Sequence, residues 1–148
     1  MKRILMMCLV ALFAIACNDK EAPAPKDDVL TVKLNGEVAY SDNDVTWRLE
    51  ANLAAVTPQL FTLYMDGTRF MEQMPLLDME VGNLENQHSN PEAHFLYEAE
   101  AVVPSIMGNP MPRYTLTNFR CEMENWSLMK VSFNCMGFDV TYEKSVNE

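Results

Sequence analysis

The stretch that decides the fold is Val45-Thr46-Trp47-Arg48-Leu49-Glu50-Ala51-Asn52-Leu53. Its apolar side chains fall on every second residue, and the residues between them are polar or charged. Because successive side chains of a β-strand point to opposite faces, this alternation predicts a strand with one dry face and one wet face. A helix would need its apolar residues three or four positions apart, and that spacing is nearly absent from the chain. We therefore predict an all-β protein.

The same two-residue period recurs on both sides of this stretch, in segments separated by turn signals. Asn35-Gly36 predicts a hairpin, because both central residues of such a turn need a positive φ. Asp66-Gly67 predicts a second hairpin turn, and Asn125-Trp126-Ser127 a third. About eight to ten short strands at this spacing are typical of a barrel or a sandwich. We predict a single antiparallel up-and-down barrel of about eight strands, with a β-sandwich as the alternative.

Two further details of the strands follow from the pattern. Gly82 interrupts an otherwise alternating segment, which indicates a bulge or a bend. In the segment 114–123 the alternation places Thr115, Thr117, Phe119 and Cys121 on one face.

The beginning of the chain has the features of a secretory signal. Lys2 and Arg3 precede an apolar run at 4–16, whose 13 residues are too few for a membrane-spanning helix, which needs about 20. Small residues then precede Cys17, an arrangement that resembles the lipobox of bacterial lipoproteins. The resemblance implies that residues 1–16 are removed and that Cys17 carries the lipid. An ordinary secreted protein is the alternative.

The rest of the chain divides into a linker, one domain and a tail. Residues 17–28 lack apolar periodicity and contain two prolines, so we predict a flexible linker. Its acidic start also resembles the surface-export signal of lipoproteins of the Bacteroides group; a plain tether and an export address both remain open. Residues 29–143 suffice for one hydrophobic core, and residues 144–148 are predicted to be a tail.

The charge of the chain excludes several classes of partner. The formal net charge is −10, and removal of residues 1–16 would leave about −12, because that segment holds two basic residues and no acidic ones. Such a surface argues against nucleic-acid binding, which needs basic side chains. It equally disfavours docking on anionic headgroups. We expect contact with the membrane only through the lipid on Cys17, at the outer membrane of a bacterial envelope.

Two passages resemble a known family. They are Phe61-Thr62-Leu63 with Met74-Pro75-Leu76-Leu77-Asp78-Met79-Glu80-Val81, and Leu128-Met129-Lys130-Val131-Ser132-Phe133 with Phe138-Asp139-Val140-Thr141-Tyr142. Both resemble passages of the calycin-like lipoproteins of the Bacteroides group, and the likeness extends over most of 29–143. Leu77 stands where that family usually has glycine. The resemblance implies a lipocalin-like barrel of about eight strands. It supplies no established catalytic residues.

No motif of the chain predicts an enzyme. His88 and His94 are the only histidines, and two imidazoles with Glu92 between them are fewer well-placed ligands than a tight metal site needs. The chain has neither a glycine-rich phosphate loop nor a nucleophile elbow. We therefore expect a non-enzymatic protein without metal or cofactor. Cys121 and Cys135 could form a disulfide in an exported protein or remain two buried thiols.

Two functions remain open at this point. Trp47, Phe95, Tyr97 and Phe119 are predicted to face the interior, where they form either a plain core or the lining of a cavity for a small apolar ligand. Loop residues Met107 and Met111 could cap such a cavity.

The alternative is a surface module that binds a glycan or a partner protein through its loops or its outer face. Trp126 at a predicted turn tip favours this second function, since an exposed tryptophan often marks a binding surface.

Overall fold

The computed structural model describes residues 28–56 and 58–145, and most of them are in strands. The strands are β1 (Asp28–Leu34), β2 (Glu37–Asp42), β3 (Arg48–Val56), β4 (Gln59–Thr68), β5 (Leu77–Glu85), β6 (Phe95–Val102), β7 (Ser105–Ile106), β8 (Asn109–Pro110), β9 (Leu116–Glu124), β10 (Leu128–Cys135) and β11 (Phe138–Ser145). A short 3-10 turn spans Pro112–Tyr114. No helix in the described ranges is long and apolar enough to cross a membrane.

The strands form two antiparallel sheets. The first sheet has the order β2-β1-β11-β10-β9-β6, and the second has the order β3-β4-β5-β7-β8. Across 28–56 and 58–145, no ladder of hydrogen bonds joins β2 to β3 or β5 to β6, so a closed barrel is not found. The all-β prediction is confirmed at the level of two antiparallel sheets.

The hydrophobic core joins the two sheets. Along β10 and β11 every second side chain is buried, as the alternation predicts; these residues are Met129, Val131, Phe133, Cys135, Phe138, Val140 and Tyr142. Trp47, which directly precedes β3, stacks on Tyr142 at 4.5 Å and lies 6.2 Å from the ring of Phe133. Burying large aromatic side chains removes much apolar surface from water, so these contacts stabilise the packing of the sheets.

Asp66-Gly67 is not a hairpin turn, and that prediction is wrong. Both residues lie inside β4, where the pairing with β5 shifts between Met65 and Thr68. Gly67 has φ +73° and donates its backbone N–H to Asp78 Oδ1 at 2.9 Å. Two residues of β4 therefore face one of β5, which is a bulge. A positive φ at glycine suits a bulge as well as a turn, so the local sequence could not separate them.

Two other irregularities bear on the predicted faces. Pairing between β4 and β5 shifts again around Gly82 and Asn83, which confirms the predicted bulge. In β9, Asn118 has φ +51° and the pairing with β10 shifts beside it. Consequently Leu116 and Phe119 are buried while Thr117 is exposed, so the predicted threonine face is wrong.

The register defines two ends of the molecule. One end, which we call the rim end, carries the Asn35-Gly36 and Met136-Gly137 turns, because Lys33 pairs with Asp139. Stacking of Phe70 on Phe138 at 5.6 Å brings the loop 69–76 to the same end. The other end, the clasp end, carries the loop 86–94 and the turn 125–127. It also carries the start of β1 and the end of β11, which runs through Ser145.

Exposed apolar side chains are concentrated at the rim end. Seven of the nine exposed large apolar side chains of the described residues lie there: Leu34, Val38, Met71, Leu76, Val103, Met107 and Met136. We call these seven the apolar rim. Val103 directly follows β6, whose Val102 pairs with Leu116. Met107 follows β7, whose Ile106 pairs with Met79 near the start of β5.

Candidate functional site

Three of the four predicted interior aromatics lie in one row of rings. Trp47, Phe133, Phe119 and Tyr97 follow one another with centroid separations of 6.2, 6.3 and 6.1 Å. The first three rings are buried, whereas Tyr97 on the edge strand β6 is only partly buried. The row therefore leads from the centre of the core toward β6, the edge strand of the first sheet. Phe133 was missing from the predicted set, although its place in the β10 alternation would have identified it.

In this row of rings, Trp47 carries a buried polar group without a hydrogen-bond partner. Its backbone N–H donates to the Tyr142 hydroxyl at 2.9 Å, and its carbonyl accepts from Lys144 Nζ at 3.4 Å. Its indole Nε1–H is fully buried. Among the buried side-chain nitrogen and oxygen atoms of the described residues, this Nε1 has no hydrogen-bond partner. An unsatisfied buried donor costs about 1–3 kcal/mol, and native interiors almost always supply an acceptor.

The rest of the described interior is uncharged. Among the described residues, Thr68 is the buried residue with a polar side chain, and its hydroxyl donates to the carbonyl of Met65 at 2.7 Å. No ionised side chain is buried in the part of the chain that the structure describes. A charged group among these buried side chains would lose its hydration, and no buried ionised side chain is there to pair with it, so the region favours neutral groups.

Phe95, the fourth predicted residue, belongs to a separate cluster at the clasp end. Its ring meets Phe61 edge to face at 4.9 Å and lies 6.4 Å from Trp126. Trp126 in turn stacks on Phe61 at 5.8 Å and donates its indole N–H to the carbonyl of Glu92 at 2.7 Å. Only 37% of Trp126 is exposed. Its ring therefore helps to hold the end of the fold, and exposure alone does not mark it as a binding residue.

A loop covers the edge of β6 with side chains in place of a neighbouring strand. Asn86 Oδ1 accepts from the backbone N–H of Leu96 at 3.0 Å, and the backbone N–H of Gln87 donates to the Leu96 carbonyl at 2.7 Å. The Gln87 amide accepts from the N–H of Glu98 and donates to its carbonyl, at 3.0 and 3.3 Å. These contacts occupy an edge that could otherwise pair with another chain. We call the loop 86–94 the clasp.

Two histidines of the clasp accept hydrogen bonds from the backbone. His94 Nδ1 accepts from the N–H of Asn125 at 3.1 Å, which joins the clasp to the turn 125–127. His88 Nδ1 accepts from the N–H of Asn90 at 2.8 Å. The ring centroids are 4.6 Å apart. A neutral imidazole that accepts at Nδ1 must carry its proton on Nε2, so these contacts define the tautomer of both rings.

That tautomer leaves neither histidine with a free lone pair for a metal ion. Within the described ranges, no group of three or more histidine, cysteine or acidic side chains is placed to hold one. The histidines instead line a pocket of about 290 Å³ with Phe95, Met123 and two carboxylates, Glu122 and Glu124. It offers imidazole N–H donors and carboxylate acceptors close to an aromatic cluster.

A second concavity lies on the outer face of the first sheet. It has a volume of about 470 Å³ and is lined by Glu98, Ala99, Glu100, Asn118, Phe119, Arg120 and Ser132. Arg120 forms ion pairs with Glu98 and Glu122, and its side chain is 43% exposed. Ion pairs this exposed contribute little to stability.

The two cysteines of the domain are free and buried, so the disulfide alternative is excluded. Cys121 pairs with Val131 and Tyr97 in its sheet, and Cys135 pairs with Phe138. Burial raises the pKa of the Cys121 thiol to about 12 and that of the Cys135 thiol to about 11. Both thiols therefore remain protonated and unreactive at neutral pH.

The methionines expected to cap an interior cavity lie at the rim end. Met107 has φ +54° at the tip of the β7–β8 hairpin and is 89% exposed, so its side chain does not cover the core. Met111 is partly buried just before the 3-10 turn. Cys17, the predicted lipid attachment site, lies outside the described residues.

No local pattern in the sequence predicts the contacts between the clasp and the turn 125–127. Asn125 and His94 are 31 residues apart, and Trp126 and Glu92 are 34 apart.

Comparison of the chain with family models, with curated proteins and with solved structures finds no match.

Proposed function

We propose that this chain is a lipid-anchored protein of the bacterial cell envelope, without enzymatic activity, whose interior binds a small, neutral, mostly apolar molecule. The observation that carries the proposal is the buried Trp47 indole N–H that lacks an acceptor. A ligand with one carbonyl, ester or hydroxyl oxygen would supply that acceptor. The uncharged interior favours a neutral oxygen over a carboxylate, because burying an unpaired charge is costly.

The finer fold is part of the proposal. We infer a calycin-like barrel, flattened into two sheets, with openings between β2 and β3 and between β5 and β6. The strand order supports this inference: β3, β4 and β5 are neighbours in one sheet, and β9, β10 and β11 are neighbours in the other. β6 pairs with β9, and the short β7–β8 hairpin between them in the chain pairs with β5. β11 then pairs with β1, as closure of an up-and-down barrel requires.

The apolar rim supports a route for such a ligand. Seven large apolar side chains exposed at one end are more than isolated surface residues would explain. The opposite, clasp end holds the start of β1, to which the predicted linker from Cys17 connects. An anchored domain would therefore present its rim away from the membrane, toward ligands in the surrounding space.

Matched ligands test the proposal. Binding of 1-dodecanol, dodecane and dodecanoate to the full chain is measured by native mass spectrometry and calorimetry, with wild type and Trp47→Phe. Phenylalanine retains an aromatic ring beside Tyr142 and removes the N–H. We expect dodecanol to bind about fivefold more tightly to wild type than to the variant, the value of one hydrogen bond. Dodecane should not distinguish the two proteins, and dodecanoate should bind more weakly than dodecanol.

Two results would contradict the proposal. Absence of binding of both dodecanol and dodecane would indicate a filled interior. Equal affinity of dodecanol for wild type and Trp47→Phe would show that the indole N–H plays no part.

A second function, binding of a glycan at the clasp end, is favoured by one specific observation. The pocket of about 290 Å³ combines imidazole donors and carboxylate acceptors, and Phe95 joins it to Trp126. Sugars are bound by polar groups of this kind beside an aromatic ring. Glycan-array binding that is lost in Glu124→Gln and retained in Trp47→Phe would select this function over the first.

A further inference from the structure

We propose that the clasp is a pH-sensitive latch, opened when His88 and His94 take up protons. Both imidazoles accept a backbone N–H at Nδ1, from Asn90 and Asn125 respectively. An imidazolium has two N–H donors and no acceptor, so protonation converts each of these contacts into two donors facing one another. Imidazole is the side chain that changes charge between about pH 5 and pH 8.

The arrangement of the rings makes the two protonations act in the same direction. The centroids lie 4.6 Å apart, so two positive rings would repel each other within one short loop. Separation of the rings requires movement within the clasp, because His94 joins it to the turn 125–127 and His88 accepts the backbone N–H of Asn90 two residues further along the loop. Opening of the clasp at the turn 125–127 would relieve both the facing donors and the repulsion between the rings.

Charged groups around the rings offer the open state an alternative set of contacts. Glu122 and Glu124 of β9 line the same pocket as the two histidines. Glu92 lies in the clasp itself, and Glu85 ends β5 just before it. The positive neighbours are Arg120, 3.2 Å from Glu122, and Lys130, the register partner of Glu122 on β10. A protonated histidine that has left its amide can donate to a carboxylate of β9, so each protonation state has partners of its own.

The turn against which the clasp closes is strained. Asn125 and Trp126 have φ values of +51° and +53°. For a residue as bulky as tryptophan this conformation is unfavourable and persists only where surrounding contacts hold it. Those contacts are the stacking on Phe61 and the bond from Trp126 Nε1 to Glu92. Loss of the histidine contacts removes part of this support, so Trp126 should become exposed.

Tryptophan quenching tests the latch in the full chain. Acrylamide quenching is measured from pH 8 to pH 5 in wild type and in His88→Asn/His94→Asn. An asparagine Oδ1 can accept the same backbone N–H and does not titrate. Since Trp126 is 37% exposed at the start, we expect about a twofold rise in quenching of wild type at low pH. The double variant should show no rise, and Trp126→Phe should abolish the signal, because Trp47 is buried.

The same rise in the double variant would assign the transition to carboxylates and overturn the proposal, as would no rise in wild type. An independent measurement needs no variant. Nitrogen NMR shifts of the imidazoles at pH 8 should show the Nε2–H tautomer for both histidines, and the opposite tautomer would contradict the geometry on which the latch depends.

Discussion

At the clasp end, one loop occupies four hydrogen-bonding groups of β6, whereas at the rim end turns and loops leave apolar side chains in water. Asn86 and Gln87 bond to four backbone groups of β6, and Trp126 bonds to the clasp. At the rim end, Arg69 donates to the Tyr40 hydroxyl at 2.9 Å and to the Glu72 carbonyl at 3.2 Å, and a buried aromatic pair, Phe70 and Phe138, lies beneath the apolar rim. Directional contacts therefore occur at both ends, but at the clasp end they cover a strand edge, whereas the exposed side chains of the rim rest on the core below them.

The strongest test of this comparison is the removal of one aromatic ring at each end. Phe70 is fully buried at the rim end, and Phe61 is only partly buried at the clasp end. We expect Phe70→Ala to lower the free energy of unfolding by about 3–5 kcal/mol, because it leaves a cavity. Phe61→Ala should cost about half as much. Urea unfolding measures both, and an equal or reversed order would mean that the core does not extend beneath the rim.

Removal of the clasp's central amide should have the next largest effect. Asn86 accepts from the N–H groups of His88 and Leu96 and donates to the carbonyl of His94, at 2.8–3.0 Å. We expect Asn86→Ala to cost about 2 kcal/mol and to speed hydrogen exchange at Leu96. The matched rim-end control is Asn109→Ala, which removes one exposed bond of 3.3 Å and should cost little. Similar costs for the two variants would remove the distinction between the ends.

Alkaline pH should destabilise the fold through its two thiols. Their pKa values are raised from 9.0 by burial, so the folded state keeps protons that the unfolded state releases. Stability is therefore fully present below pH 9 and declines as pH rises toward 11–12. We expect a loss of about 1.4 kcal/mol per thiol between pH 8 and pH 10. Cys121→Ala should reduce the slope of this loss, measured by urea unfolding at each pH; an unchanged slope would assign it to other groups.

Substitutions in the apolar rim should have the smallest effect on stability. Val38 and Met107 are exposed, so Val38→Thr and Met107→Gln should change the free energy of unfolding by less than about 0.5 kcal/mol. The same variants should bind less of an apolar fluorescent dye, since the rim is exposed apolar surface. A large loss of stability would show that these side chains contribute to packing, and unchanged dye binding would place the apolar surface elsewhere.

The elements that follow from the sequence are those with local causes. Alternation identified the buried faces of β10 and β11, and the need for positive φ identified the turn at Asn35-Gly36. The turn predicted at Asn125-Trp126-Ser127 is also found. Asp66-Gly67 was misassigned because its role depends on Asp78, a residue of the neighbouring strand. The face of β9 was misassigned because the bulge at Asn118 shifts the period.

The candidate sites divide in the same way. Burial of Trp47, Phe95 and Phe119 follows from alternation, whereas the missing acceptor of Trp47 is visible only in the packed interior. The contacts that join the clasp to the turn 125–127 are between residues more than 30 positions apart along the chain, such as Asn125 with His94. Such contacts are set by the pairing of strands, for which a single sequence contains little local information.

The most direct measurement of the central claim is the NMR signal of the Trp47 indole N–H during titration with 1-dodecanol. We predict that its proton resonance moves downfield and that its exchange with water slows, as expected when a buried donor gains an acceptor. Dodecane should leave that shift nearly unchanged, and the Trp126 indole, which already donates to Glu92, serves as the internal control. An unchanged Trp47 resonance at saturating dodecanol would contradict the claim that this indole holds the ligand.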